Sequence, residues 1–184
     1  MLKLAAKFNV TDRPFKDKPL LNDGIEIYGE FNRARLVENL PDYKGGKTSK
    51  ILCEYNVKDP EDGKTTYILN DWMRPRVTKG TSGYNSSKLY NRLVLFGALN
   101  GFVGEFGKVG NITDEELLNY VNQALEGKIV KIKIKNRKKG TSDEYSCVGD
   151  IVEVIDKNTG EIKNTRKGQK SKGEENDRFP EIDR

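Results

Sequence analysis

Between Lys128 and Lys139 the chain reads KIVKIKIKNRKK, in which Val130, Ile132 and Ile134 alternate with Lys131, Lys133 and Lys135 and no carboxylate intervenes. A period of two puts the aliphatic side chains on one side of a strand and the ammonium groups on the other. Arg137, Lys138 and Lys139 carry the charge into the turn that follows. The chemistry open to such a row is electrostatic, the holding of a polyanion by its phosphates. An edge strand guarded by lysines against aggregation uses the same pattern and is the alternative.

A second group of residues could stack on bases. Trp72, the only tryptophan, precedes a polar loop from Arg74 to Ser87 that holds Arg74, Arg76 and Lys79, the aromatic Tyr84 and no carboxylate. Cations interleaved with aromatic faces suit a single strand, whose phosphates need charge and whose bases need flat surfaces. Tyr55 and Tyr67 on neighbouring strands are further stacking candidates, although burial in the core competes for each of them and for Trp72. Tyr28 and Phe31 face opposite ways on one strand, so one of them belongs to the core. Arg33 and Arg35 share a face and cannot both be buried without carboxylates; phosphate, or a salt bridge to Glu54 or Glu153, would satisfy them.

Other chemistry is thinly represented. Histidine is absent, which removes the commonest general base and the most frequent metal ligand. Cys53 and Cys147 are the only cysteines and have no CxxC partner, so they read as small buried hydrophobes in a reducing compartment. Asp59, Glu61 and Asp62 are the acidic cluster a metal-dependent nuclease would need, but they sit in turn sequence where solvation explains them. No Gly-Lys-Ser/Thr signature makes a P-loop. The expectation is a non-enzyme with no catalytic residue, cofactor or metal.

With 184 residues, 35% of them hydrophobic and 33% charged, the chain fits one domain with polar extensions. Its formal charge of +5 favours nucleic acid or an anionic surface. No apolar run is long enough to span a bilayer, and the segment from Met1 to Lys7 is too short for a signal peptide, so a cytoplasmic protein without membrane contact is expected.

These residues have to be held by strands. A long strand starts near Ile25, with Gly29 suggesting a bulge or bend; a second covers Ile51 to Val57; the turn at Asp62-Gly63 leads to a third ending near Met73. Ser86 or Ser87 caps a helix from Lys88 to about Asn100, a glycine-studded loop follows, and the capping box at Thr113 to Glu116 opens a second helix that ends at Gly127. The basic strand and Glu144 to Ile155 form a closing hairpin. The order β-β-β-α-α-β-β over residues 24–156 predicts a mainly β, five-stranded OB-like barrel with a helical insertion, between a flexible arm (1–23) and a disordered charged tail (157–184). An open antiparallel α+β sheet is the competing arrangement.

On the hairpin from Ile51 to Met73, the helix starting at Asp114 and the stretch from Leu125 to Ile134 followed by a final strand, the chain resembles the small single-stranded DNA-binding proteins encoded beside recombinases and primases in phages and mobile elements of Gram-positive bacteria. It departs from the better-known bacterial pattern in its long helical segment and in lacking a clean acidic tip that ends in Pro-Phe. The resemblance implies an OB-like fold, protection of single-stranded DNA during replication or recombination without strong sequence preference, and homo-oligomerisation. RNA is a possible ligand beside DNA. Residues 157–172 carry six Lys or Arg against one Glu, whereas Phe179, Pro180 and Ile182 lie among five carboxylates in 174–183. Such a tip can dock on replication or recombination proteins, or merely solubilise the chain. The alternative function is a protein-interaction module, an inhibitor or adaptor of host machinery on the same scaffold.

Overall fold

One long strand organises the molecule because its alternation serves two partners. β1 (Glu26–Pro41) buries Ile27 and Phe31 and, after an extra residue at Asn32 shifts the alternation, Ala34. Its later part, from Gly29, pairs with β2 (Lys47–Lys58), and its earlier part, Glu26 to Glu30, pairs with β4 (Lys128–Arg137). Gly29, where both pairings overlap, is not the bulge. A Cβ there would lie 2.8 Å from Val57 Cγ1 and 2.9 Å from Ile132 Cδ1, so glycine permits the close approach of β2 and β4 side chains over the strand.

The computed structural model describes residues 20–42, 44–81, 85–107, 112–157 and 162–165. Around β1 the remaining elements are β3 (Thr66–Met73), α1 (Lys88–Leu95), α2 (Leu99–Phe106), α3 (Asp114–Leu125), β5 (Tyr145–Asp156) and β6 (Ile162–Thr165). All strand pairs are antiparallel, in one sheet of order β3-β2-β1-β4-β5-β6. The mainly β class, the helical insertion and the two hairpins agree with the sequence. The barrel does not follow: β3 and β6 are edges and the sheet is open. Cα atoms of β3 and β5 come within 8 Å of each other without pairing. Side chains join them instead, because Arg92 of α1 bonds Asp71 on β3 and Asp150 on β5.

Two further elements depart from expectation. Leu99–Phe106 is helical although Gly101 and Gly104 argue for a loop, because Phe102 is fully buried and packs against Phe106 and Tyr120. Gly101 faces Tyr120, whose hydroxyl donates to the Ala98 carbonyl at 2.6 Å; a Cβ would stand 2.8 Å from that oxygen. β6 forms within the stretch read as a disordered tail, because the free edge of β5 offers backbone groups to a short strand that needs no apolar run. Before β1, residues expected in the arm are ordered: Leu21 is buried, its N–H donates to Ser146 Oγ (2.8 Å) and its carbonyl accepts from Asn136 Nδ2 (3.0 Å).

α3 closes the core with Leu117, Val121 and Leu125, and its capping box at Thr113 and Glu116 forms as read. Where β1 has left β4, Asn122 takes the place of a strand: Ala34 N–H donates to Asn122 Oδ1 (2.7 Å) and Asn122 Nδ2 donates to the Ala34 carbonyl (3.0 Å). Cys53 and Cys147 are both free and buried. Among the described residues, no helix is long and apolar enough to cross a membrane. Phe179, Pro180 and Ile182 lie outside the described residues.

Candidate nucleic-acid interface

Alternation along β1, β2 and β3 sorts their residues between the core and an outward face. Ile51, Cys53, Tyr55 and Val57 of β2 and Tyr67, Leu69, Asp71 and Met73 of β3 point inward and are buried. Leu52, Glu54 and Asn56, with Ile68, Asn70 and Trp72, therefore point outward. Strand register arranges them in rows: Arg35, Leu52 and Trp72 lie side by side, and so do Arg33, Glu54 and Asn70. Trp72 is half-buried, and Ile68 is 43% exposed. Leu52 is completely buried although it faces out.

The salt-bridge reading of the two arginines holds. Arg33 Nε donates to Glu54 Oε2 at 2.6 Å and Arg35 Nε donates to Oε1 at 3.0 Å. Glu54 is buried beneath them, while the Arg33 side chain is 61% exposed. One carboxylate thus offsets two cations, and a positive charge remains on the solvent side of the row.

At one end of this face the β1–β2 hairpin meets the loop after β3. Arg74, Arg76 and Lys79 are exposed there. Arg74 and Arg76 line an open cleft of about 540 Å³ together with Lys47, Glu38 and Asp114. Tyr84 lies outside the described residues.

The basic strand is β4, and it is not an edge: β1 and β5 flank it. Val130, Ile132 and Ile134 are buried, as the alternation requires. Lys131 bonds Glu26 (3.0 Å), which raises its pKa, and its ammonium lies 5.9 Å from the centre of the Tyr28 ring. Lys133 and Lys135 are exposed and have no ion-pair partner among the described residues. The cations that follow serve the turn. Lys138, at φ 51°, pairs with Asp143 (3.5 Å); Lys139 pairs with Asp23 (2.6 Å) and holds its carboxyl below the usual range; Arg137 is half-buried beside Cys147.

Two stacking candidates are corrected. Tyr55 is fully buried, edge-on to Phe31 at 5.8 Å between ring centres, and burial drives its pKa well up. Tyr67 is buried too; its hydroxyl donates to Asp59 Oδ2 (2.8 Å), and burial with that bond pushes its pKa up to about 12. Both occupy inward positions, so neither ring can receive a base. The acidic trio works within its own turn: Asp59 also accepts from Glu61 N–H, and Asp62 accepts from Lys64 N–H and Thr65 N–H.

Sequence reasoning left Tyr28, Ile68, Lys47 and Lys58 out of the candidate interface. Tyr28 had a readable signal, since Phe31 is the inward member of the pair and leaves Tyr28 outside, 52% exposed. Ile68, between inward Tyr67 and Leu69, had the same one. Comparison of the chain with models of known families, with curated proteins and with solved structures returns no match.

Proposed function

We propose that the protein is a non-catalytic, cytoplasmic single-stranded DNA-binding protein that coats or protects DNA during phage or mobile-element replication or recombination, with little sequence preference. The observation that carries this reading is the outward row of Arg35, Leu52 and Trp72, continued by Arg33 and by the exposed cations Arg74, Arg76 and Lys79. A half-buried indole held in a sheet is a rigid stacking surface, and the arginines beside it can meet the phosphates on either side of a stacked base. The strand order and the β3–β5 approach favour an OB-like barrel whose seam is held by side chains rather than a ladder.

Trp72 is the only indole in the chain, so its emission reports directly on this face. Titration with oligo-dT should quench it, with an affinity that falls steeply as salt rises. Oligo-rU and a duplex of equal length are the comparison ligands. Tighter binding of the duplex, or no quenching by oligo-dT, would sink the reading.

A second reading has its own observation. Val94 of α1 and Val103 of α2 are each about half exposed, which favours contact with a protein, either a second copy or a partner such as host machinery. Analytical ultracentrifugation of wild type and Val94→Glu, Val103→Glu tests the first of these: a shared sedimentation coefficient excludes self-association through the helices.

A further inference from the structure

We infer that Tyr28 is a second stacking platform, so that a bound strand crosses the sheet diagonally from Trp72 to Tyr28. The inference rests on the single-strand-binding reading above and extends it to a path. Tyr28 is 52% exposed on the central strand of the sheet, where solvent contact of a large ring is unfavourable unless something covers it. Cations flank it on both sides. Lys131 is its register partner on β4 and lies over the ring at 5.9 Å; continuing the Gly29–Val57 pairing by one residue sets Lys58 of β2 on the other side.

Charge on this part of the face selects a polyanion. Three of its carboxylates are already engaged, Glu26 by Lys131, Glu30 by Lys157 at 2.6 Å, and Glu54 by Arg33 and Arg35, and a fourth, Glu153, faces Lys131 across the β4–β5 ladder. Lys58, Lys133 and Lys135 are exposed without an ion-pair partner among the described residues, and their charge is left for a ligand. Between the two rings lies Ile68, 43% exposed, which gives the path an apolar floor.

Register sets the span. Trp72 is level with Arg35 through Leu52, and Tyr28 is level with Thr66 through Lys58. Six residues at about 3.4 Å each and two strand spacings of about 4.8 Å separate the rings by roughly 20 Å along the strands and about 10 Å across them. An oligonucleotide must therefore exceed a minimum length before it can use both, within the range of roughly 4–16 nucleotides that one such module occupies.

The test uses the full chain and oligo-dT of about 4, 8 and 16 nucleotides, the range just given, with Trp72 emission as the readout. Wild type should bind all three and increase in affinity once the length spans both rings. Tyr28→Ala should match wild type on the shortest oligonucleotide and lose about tenfold on the longest; Tyr28→Phe should restore that loss. Equal affinities of Tyr28→Ala and wild type at every length overturn the inference and leave the binding function intact, and so does a uniform loss at all lengths. Failure of wild type to bind any of the three overturns the function and the inference together.

Discussion

Arg92 and Asp71 form an ion pair at 2.9 Å in which both side chains are buried. The guanidinium continues to Asp150 (3.0 Å), and Lys88 approaches the other Asp71 oxygen (2.5 Å). Burial alone would raise the Asp71 pKa. The two cations outweigh it and hold the carboxyl below its ordinary value of 3.8. Asp150 belongs to β5 and Asp71 to β3, so the network spans the one gap that β3 and β5 leave unpaired.

Arg92→Met should therefore destabilise strongly, by about 3–5 kcal/mol, because it strands a buried carboxylate between two strands. Arg92→Met combined with Asp71→Leu should recover part of that loss. Urea midpoints of the two variants and wild type decide it, and a midpoint for Arg92→Met equal to wild type would remove the network from the account of stability.

The same carboxyl makes a pH prediction. With its folded pKa below its unfolded value, Asp71 contributes stability that is full above about pH 4 and is lost as pH falls through the lowered folded pKa. Urea midpoints measured downward from pH 5 should fall in wild type and fall less steeply in Asp71→Asn, which starts from a lower midpoint.

Glu54 is predicted to restrain binding. Glu54→Gln removes the charge that Arg33 and Arg35 share, so oligo-dT affinity should rise. The log–log salt slope should steepen by about 0.7 for each further phosphate that the released arginines neutralise. Fluorescence titrations at several salt concentrations measure both quantities.

The lysines of β4 should differ among themselves. Lys133→Glu and Lys135→Glu should each flatten the salt slope by about 0.7, the value of one neutralised phosphate on a single strand. Lys131→Glu should also place like charge beside Glu26, with which Lys131 now pairs. Thermal melting should show a cost for Lys131→Glu alone, and salt slopes unchanged in all three variants would return the row to a purely structural role.

Tyr55 carries a buried hydroxyl with no hydrogen-bond partner among the described residues. Removing an unsatisfied polar group costs nothing in hydrogen bonding and relieves its desolvation. Tyr55→Phe should be as stable as wild type or more so by thermal melting, and its affinity for oligo-dT should be unaltered.

Strands were legible wherever side chains alternate or a turn has its own chemistry. The basic row, the hairpin at Asp62-Gly63 and the capping box at Thr113 all came from local patterns that local physics enforces. How distant strands of an open sheet approach each other is a nonlocal property, and nothing in β3 or β5 taken singly announces that Arg92, more than 50 residues from Asp150, will join them by side chains. α2 was hidden because glycine weighs against a helix, whereas burying Phe102 against Tyr120 outweighs that cost. At the site, cations were easier to read than aromatics. An exposed lysine needs no partner to be recognised, but whether Tyr55, Tyr67 or Tyr28 is the one left outside depends on inward positions fixed by register and by the extra residue at Asn32.

Among the described strands β1 leaves the ribosome before the others, and the hydrogen bonds of its first five residues wait for partners about 100 positions later, at 129–133. Contacts so distant along the chain make folding slow, on a scale of about milliseconds to seconds for β-rich domains. Until β4 is synthesised, Ile27 and the flank of Gly29 stay uncovered. The nascent chain must carry that exposed β1 edge through synthesis of both the hairpin and the helices.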